Sequence, residues 1–134
     1  MYIVARLPAR GRELAACMRR VLSALAESYA ALVRAGQAQR LPPLRTTAIR
    51  FCPEPQAGTG VEDWADPWTV LKRGHGDCDD LVIYRLTELL LTGESATVSV
   101  IWQGSGFHVR VRRANGALED PSLFVIAKNG RKRD

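Results

Sequence analysis

The stretch Asp77-Cys78-Asp79-Asp80-Leu81-Val82-Ile83-Tyr84-Arg85-Leu86-Thr87-Glu88-Leu89-Leu90 reads as a helix that begins on its own cap. Asp77 is a good N-cap, because a short carboxylate accepts hydrogen bonds from the unpaired N–H groups of a first turn. Asp79 and Asp80 fall within that turn, where the helix dipole favours negative charge. Val82, Leu86, Leu89 and Leu90 supply a buried stripe, and Thr92-Gly93 ends the run. Cys78 therefore opens the helix. A thiol at that place has a chemical use, since free N–H groups and the dipole stabilise a thiolate and an oxyanion together. The three aspartates oppose this and raise the thiol pKa. A thiolate here needs a cation beside it, and an imidazolium is the usual one.

Beyond the helix the chain is β-patterned. Ala96 to Trp102 alternates as a strand, Gln103 to Gly106 turns, Phe107 to Arg113 forms a second strand, and Ala117 to Asp120 pairs back before Pro121. A helix with an antiparallel meander after it predicts an α+β fold. Two histidines are available. His75 sits in a glycine loop three residues before Cys78, whereas His108 lies on the meander's second strand, and a base must be held by rigid structure. His108 is the better candidate. The acid that orients it depends on strand parity. A two-residue turn at Asn115-Gly116 puts Glu119 on the face of His108; a three-residue loop, Ala114-Asn115-Gly116 with Gly116 left-handed, puts Asp120 there instead. The sequence Ala-Asn-Gly suits the second, so Asp120 is expected, with Glu119 as the fallback.

Upstream, Tyr2 to Leu7 reads as a strand that Pro8 ends. Leu14, Met18, Val21, Leu25, Tyr29 and Leu32 recur at steps of three and four, the stripe of an amphipathic helix of about 24 residues that stops at Gly36. That stripe is expected to lie against the core. Thr46 to Cys52 is a second candidate strand, Pro53 to Gly60 a loop. Within Glu62 to Gly74 a short helix starts near Asp66-Pro67, since proline suits a first turn.

The chain has 134 residues, 46% of them hydrophobic and 25% charged. It is of a size for one domain, which buries roughly two thirds of its unfolded surface and needs neither disulfide nor metal to hold together. Residues 1–127 are expected to form that domain, with strand and helix in 1–36, the core at about 62–121, and a basic tail at 128–134. Cys17, Cys52 and Cys78 are odd in number and contain no C-x-x-C pair, which argues against a disulfide framework or a zinc site and for a reducing compartment. No metal and no cofactor is expected. Arg6, Arg10, Arg12 and Glu13 interrupt any signal-peptide pattern, and no uncharged run approaches the ~20 residues of a membrane span, so a cytoplasmic protein is expected. The net charge of +5 comes from scattered arginines and reads as solvated surface; a nucleic-acid role is open only to the tail.

The run Trp64-Ala65-Asp66-Pro67-Trp68-Thr69-Val70-Leu71-Lys72-Arg73-Gly74-His75-Gly76-Asp77-Cys78-Asp79-Asp80-Leu81, with Phe107-His108-Val109 and Glu119-Asp120-Pro121 after it, resembles the transglutaminase-like superfamily. It is most similar to the bacterial and tailed-phage transglutaminase-like cysteine proteinases, whose core packs a cysteine-bearing helix on an antiparallel sheet that delivers histidine and aspartate. The resemblance implies a papain/transglutaminase-like core in residues 62 to 121, preceded here by the long amphipathic helix. It implies a triad of Cys78, His108 and Asp120 that converges in space and carries out acyl transfer on a protein or peptide amide. Some relatives bind calcium through carboxylates flanking the cysteine, where this chain has Asp77 and Asp79; capping is the reading preferred here, because two acids do not make a calcium shell. The indole N–H of Trp64 or Trp68 is a candidate second oxyanion donor, the alternative being that both rings are core. The loops are short for a specificity pocket. The resemblance also carries an alternative, a structural or adaptor component of a tailed-phage virion or assembly that keeps the fold; its partners are then other virion proteins, and its place the host cytoplasm or the virion.

Overall fold

An amphipathic stripe this long has to find a partner, and in the computed structural model, which describes residues 2–6, 11–53, 61–103, 106–123 and 125–126, it finds the helix that Cys78 opens. Helix α1 (Gly11–Arg34) packs on α3 (Cys78–Leu91) and on strand β5 (Thr97–Gln103). Its buried residues are Met18, Leu22, Ala26, Tyr29 and Ala30. The buried face is thus rotated by about one residue from the expected stripe. Val21 and Leu25 lie at its rim, and Leu32 is exposed. Small Ala26 and Ala30 at the centre let the two helices approach closely, an advantage that counting large side chains misses.

The meander is present. Strands β5, β6 (Gly106–Arg112) and β7 (Leu118–Glu119) form one antiparallel sheet in that order. Val98 and Val100 of β5, with Phe107, Val109 and Val111 of β6, join Val82, Ile83, Leu86 and Leu89 of α3 in the main hydrophobic cluster. The fold is mixed helix and strand, as expected. Strand β1 (Tyr2–Arg6) pairs antiparallel with β3 (Val61–Ala65), Ile3 against Trp64. The pairing of β3 is a correction, since the sequence marks Glu62 to Ala65 only as the approach to a helix. The helix itself, α2 (Pro67–Arg73), begins as expected on Asp66, whose side chain accepts from the Thr69 N–H at 2.8 Å. The candidate strand Thr46 to Cys52 shrinks to β2 (Arg50–Phe51), because Thr46 and Thr47 turn their hydroxyls onto the carbonyls of Pro43 and Leu44 and close a 3-10 turn. β2 runs parallel to β4 (His75–Gly76). A second cluster, Leu44, Ile49, Ala65, Val70, Leu81, Tyr84 and Val125, fills the other side of α3. The expected loop Pro53 to Gly60 lies mostly outside the described residues, and the tail 128–134 wholly so. No helix among the described residues is long and apolar enough to cross a membrane.

A chain of ion pairs ties α3 to the sheet. Arg85 donates to Glu119 at 2.8 Å and to Glu88 at 2.7 Å; Arg113 donates to Glu119 at 2.6 Å and to Glu94 at 2.5 Å. Arg85 and then Arg113 hold the Glu119 carboxyl below its ordinary range, and Arg113 brings Glu94 down to about 2. A carboxylate whose folded pKa is depressed contributes stability that is complete above its unfolded value and lost as pH falls through the folded one. The melting temperature is therefore expected to hold from neutrality to about pH 4.5 and to fall between there and about 2. In a Glu94→Gln, Glu119→Gln variant the neutral plateau should be lower and the acid limb shallower, read by circular dichroism melts across pH. An acid limb of unchanged slope would mean the network adds nothing.

Candidate active site

Cys78 owes its position to the cap beneath it. Asp77 accepts from the Asp80 N–H at 2.9 Å and Asp80 accepts from the Asp77 N–H at 3.2 Å, a reciprocal capping box. Asp80 does more than cap. It takes the Ala65 N–H of β3 at 2.9 Å and the Arg73 guanidinium of α2 at 2.9 Å, so one buried carboxylate joins three elements at the helix start. Burial pushes its pKa up, against the pull of the Ala65 and Asp77 N–H groups and of Arg73. Gly76 is required beside it, because a Cβ there would stand 3.0 Å from the Asp80 Cβ. Asp79, buried as well, accepts from the Trp64 indole at 3.2 Å and from the Cys78 thiol at 3.5 Å.

Each aspartate of the motif thus has a structural task. The indole donors do too: Trp64 is bound to Asp79, and Trp68 donates to the Gln39 carbonyl at 2.7 Å. Both indole donors are thus taken up, Trp64 in the core and Trp68 partly buried against it, in keeping with the reading of both rings as packing residues. The Cys78 backbone N–H, in the first turn of α3, remains the donor the site can offer. Burial first, then the charges of Asp79 and Asp77, hold the thiol pKa well above its ordinary value. The opposition expected from the acids is real, and desolvation adds to it.

The histidine and its acid meet. Arg112 pairs with Leu118 and Val111 with Glu119, so one step further along this register Asp120 falls across from Arg110. This is the register of the three-residue loop, closed by an Arg113–Gly116 turn with Gly116 at a φ of 89°. The carboxylate of Asp120 contacts His108 Nε2. Its other oxygen accepts from the Ser122 hydroxyl at 2.6 Å and the Ser122 N–H at 3.2 Å. Sequence reasoning misses Ser122, though Asp-Pro-Ser is a recognisable Asx-type turn. Glu119, the fallback, belongs to the ion-pair chain instead, and His75 is exposed on β4.

With Nε2 held by Asp120, the nitrogen left to face a reacting proton is Nδ1. Among the described residues no hydrogen bond joins Cys78 to His108; the thiol's bond runs to Asp79. Phe107, Val109 and Val111 point at the helices, so His108 and Arg110 alternate to the side of β6 away from α3, and the structure brings together His108 and Asp120 but does not bring Cys78 to them as expected. Among the described residues β7 pairs with β6 at Val111 and Arg112, so His108 lies beyond the paired stretch, beside the turn that carries Asp120. Compared with protein-family models, curated proteins and solved structures, the chain matches none of them.

Proposed function

We propose that the chain is a thiol acyl-transfer enzyme with a papain/transglutaminase-like core, in which Cys78 attacks an amide carbonyl, His108 moves the proton and Asp120 orients His108. The observation that carries this reading is the His108–Asp120 pair, with Asp120 itself pinned by Ser122. A surface histidine does not need so fully oriented a carboxylate; a general base does.

The ties of α3 set thiol and ring at one end of the sheet, with the ring on the side of β6 away from α3. Arg85 is held to Glu119, opposite Val111. From that tie Cys78 is about 10 Å back along the helix and His108 about 10 Å back along β6, so both lie at the same end. Because burial and two acids keep the thiol protonated, the proton leaves during attack rather than before it. His108 Nδ1 would take it as the sulfur–carbon bond forms, then return it to the departing amine. Water or an amine resolves the thioester with His108 as base again.

A second reading, a virion or assembly component, is favoured by the thiol's hydrogen bond to Asp79 and its raised pKa. In it Cys78 is a small residue of a capping turn. Incubation with p-nitrophenyl acetate and subsequent peptide mass spectrometry separates the two. Acyl transfer predicts acetylation at Cys78 ahead of Cys52, although Cys52 is the exposed thiol. Acetylation that simply tracks exposure would leave the binding reading in place.

A further inference from the structure

Arg110 is placed unlike the other arginines of the meander. It lies two residues after His108 on the same side of β6. Its Nε is buried and has no hydrogen-bond partner among the described residues. The nearest carboxylate in register, Asp120, directs one oxygen at His108 and the other at Ser122. Glu119 projects to the opposite side, where Arg85 and Arg113 hold it. The neighbouring Arg113 has two carboxylate partners, and Arg85 likewise. A guanidinium with an N–H withdrawn from water and left unpaired is a costly arrangement. Its planar fork matches a carboxylate with two parallel hydrogen bonds.

We infer that Arg110 is a substrate-binding residue that takes a carboxylate carried by the acyl donor, and so selects acidic over neutral substrates. This rests on the acyl-transfer reading for its place in the reaction, while its anion binding stands independently. Along β6 the side of His108 also carries Arg112, which is exposed, so an acidic peptide laid on this side meets positive charge at both positions. The carboxylate would sit two strand residues from the base, a distance of about 7 Å.

The first arm of the test uses the intact chain and sodium glutarate, at constant ionic strength, read by the melting temperature and by the Arg110 Nε–H resonance. Glutarate should raise the melting temperature and shift that resonance; in Arg110→Gln the stabilisation should vanish, and in Arg110→Lys, which keeps charge but loses the fork, it should weaken. Equal stabilisation of the wild type and Arg110→Gln, or none in either, overturns the inference whatever the thiol does. The second arm compares acylation of Cys78 by the p-nitrophenyl monoester of glutaric acid and by p-nitrophenyl butyrate. A preference of about tenfold or more for the charged donor, lost in Arg110→Gln when read as the ratio of the two donors' rates, supports selection at this residue. A preference that survives the substitution overturns it. Failure of both donors to acylate Cys78 counts against acyl transfer, and with it against the substrate role, while the glutarate arm still decides anion binding.

Discussion

Replacing Asp80 with alanine is expected to lower the unfolding free energy by about 3–5 kcal/mol, the cost of breaking a buried charge pair from one side. The substitution strands the Ala65 N–H and the Asp77 N–H and leaves the Arg73 guanidinium without its carboxylate. Ala65 is fully buried and has no route to water as a replacement acceptor. Since small domains hold only about 5–15 kcal/mol in total, the variant should lose a large share of its stability. Asp80→Asn keeps an acceptor for the Ala65 N–H and loses the ion pair, so it should fall between the two. Urea titration measures all three. A loss below about 1 kcal/mol in Asp80→Ala would mean that the capping box, and not the bridge to β3 and α2, is what the residue contributes.

The second large effect concerns rate. His108→Ala should slow acetylation of Cys78 by about 100-fold or more at neutral pH, the lower end of what a positioned general base contributes. The size comes from the thiol's surroundings. Burial and the charges of Asp79 and Asp77 leave little thiolate, so almost all attack depends on removal of the proton by the ring. Asp120→Asn keeps an acceptor for Nε2 and should cost less, about tenfold. Ser122→Ala, which frees Asp120 from its second anchor, should fall in the same direction and be smaller still. Stopped-flow absorbance of released p-nitrophenolate gives these rates, and equal rates in all variants would leave the dyad without a catalytic part.

How much of the fold and of the site is legible in the sequence depends on whether the determining contacts are local. The capping box at Asp77 and Asp80 and the loop at Ala114-Asn115-Gly116 can be read because cap and turn chemistry reside in a few consecutive residues. The parity that selects Asp120 over Glu119 comes from the loop alone. What cannot be read is long-range. Nothing near Val61 to Ala65 announces that Tyr2 to Arg6 will pair with it, and nothing near Asp80 announces Ala65 or Arg73. The rotation of the α1 face comes from alanines, whose small size matters only against a specific neighbour. The task of Glu119 is hidden for the same reason, its partners Arg85 and Arg113 being set by how α3 crosses the sheet.

The triad is tested most directly by the rate of Cys78 alkylation with iodoacetamide from about pH 5 to about pH 10, in the wild type and in His108→Ala, with Cys52 as internal reference. If His108 activates the thiol, Cys78 of the wild type is already alkylated at neutral pH, whereas in the variant burial and the charges of Asp79 and Asp77 keep the thiol protonated and Cys78 stays unreactive across the range. Superimposable profiles for the two proteins would contradict the triad, and Cys78 would then be a buried residue of a helix cap.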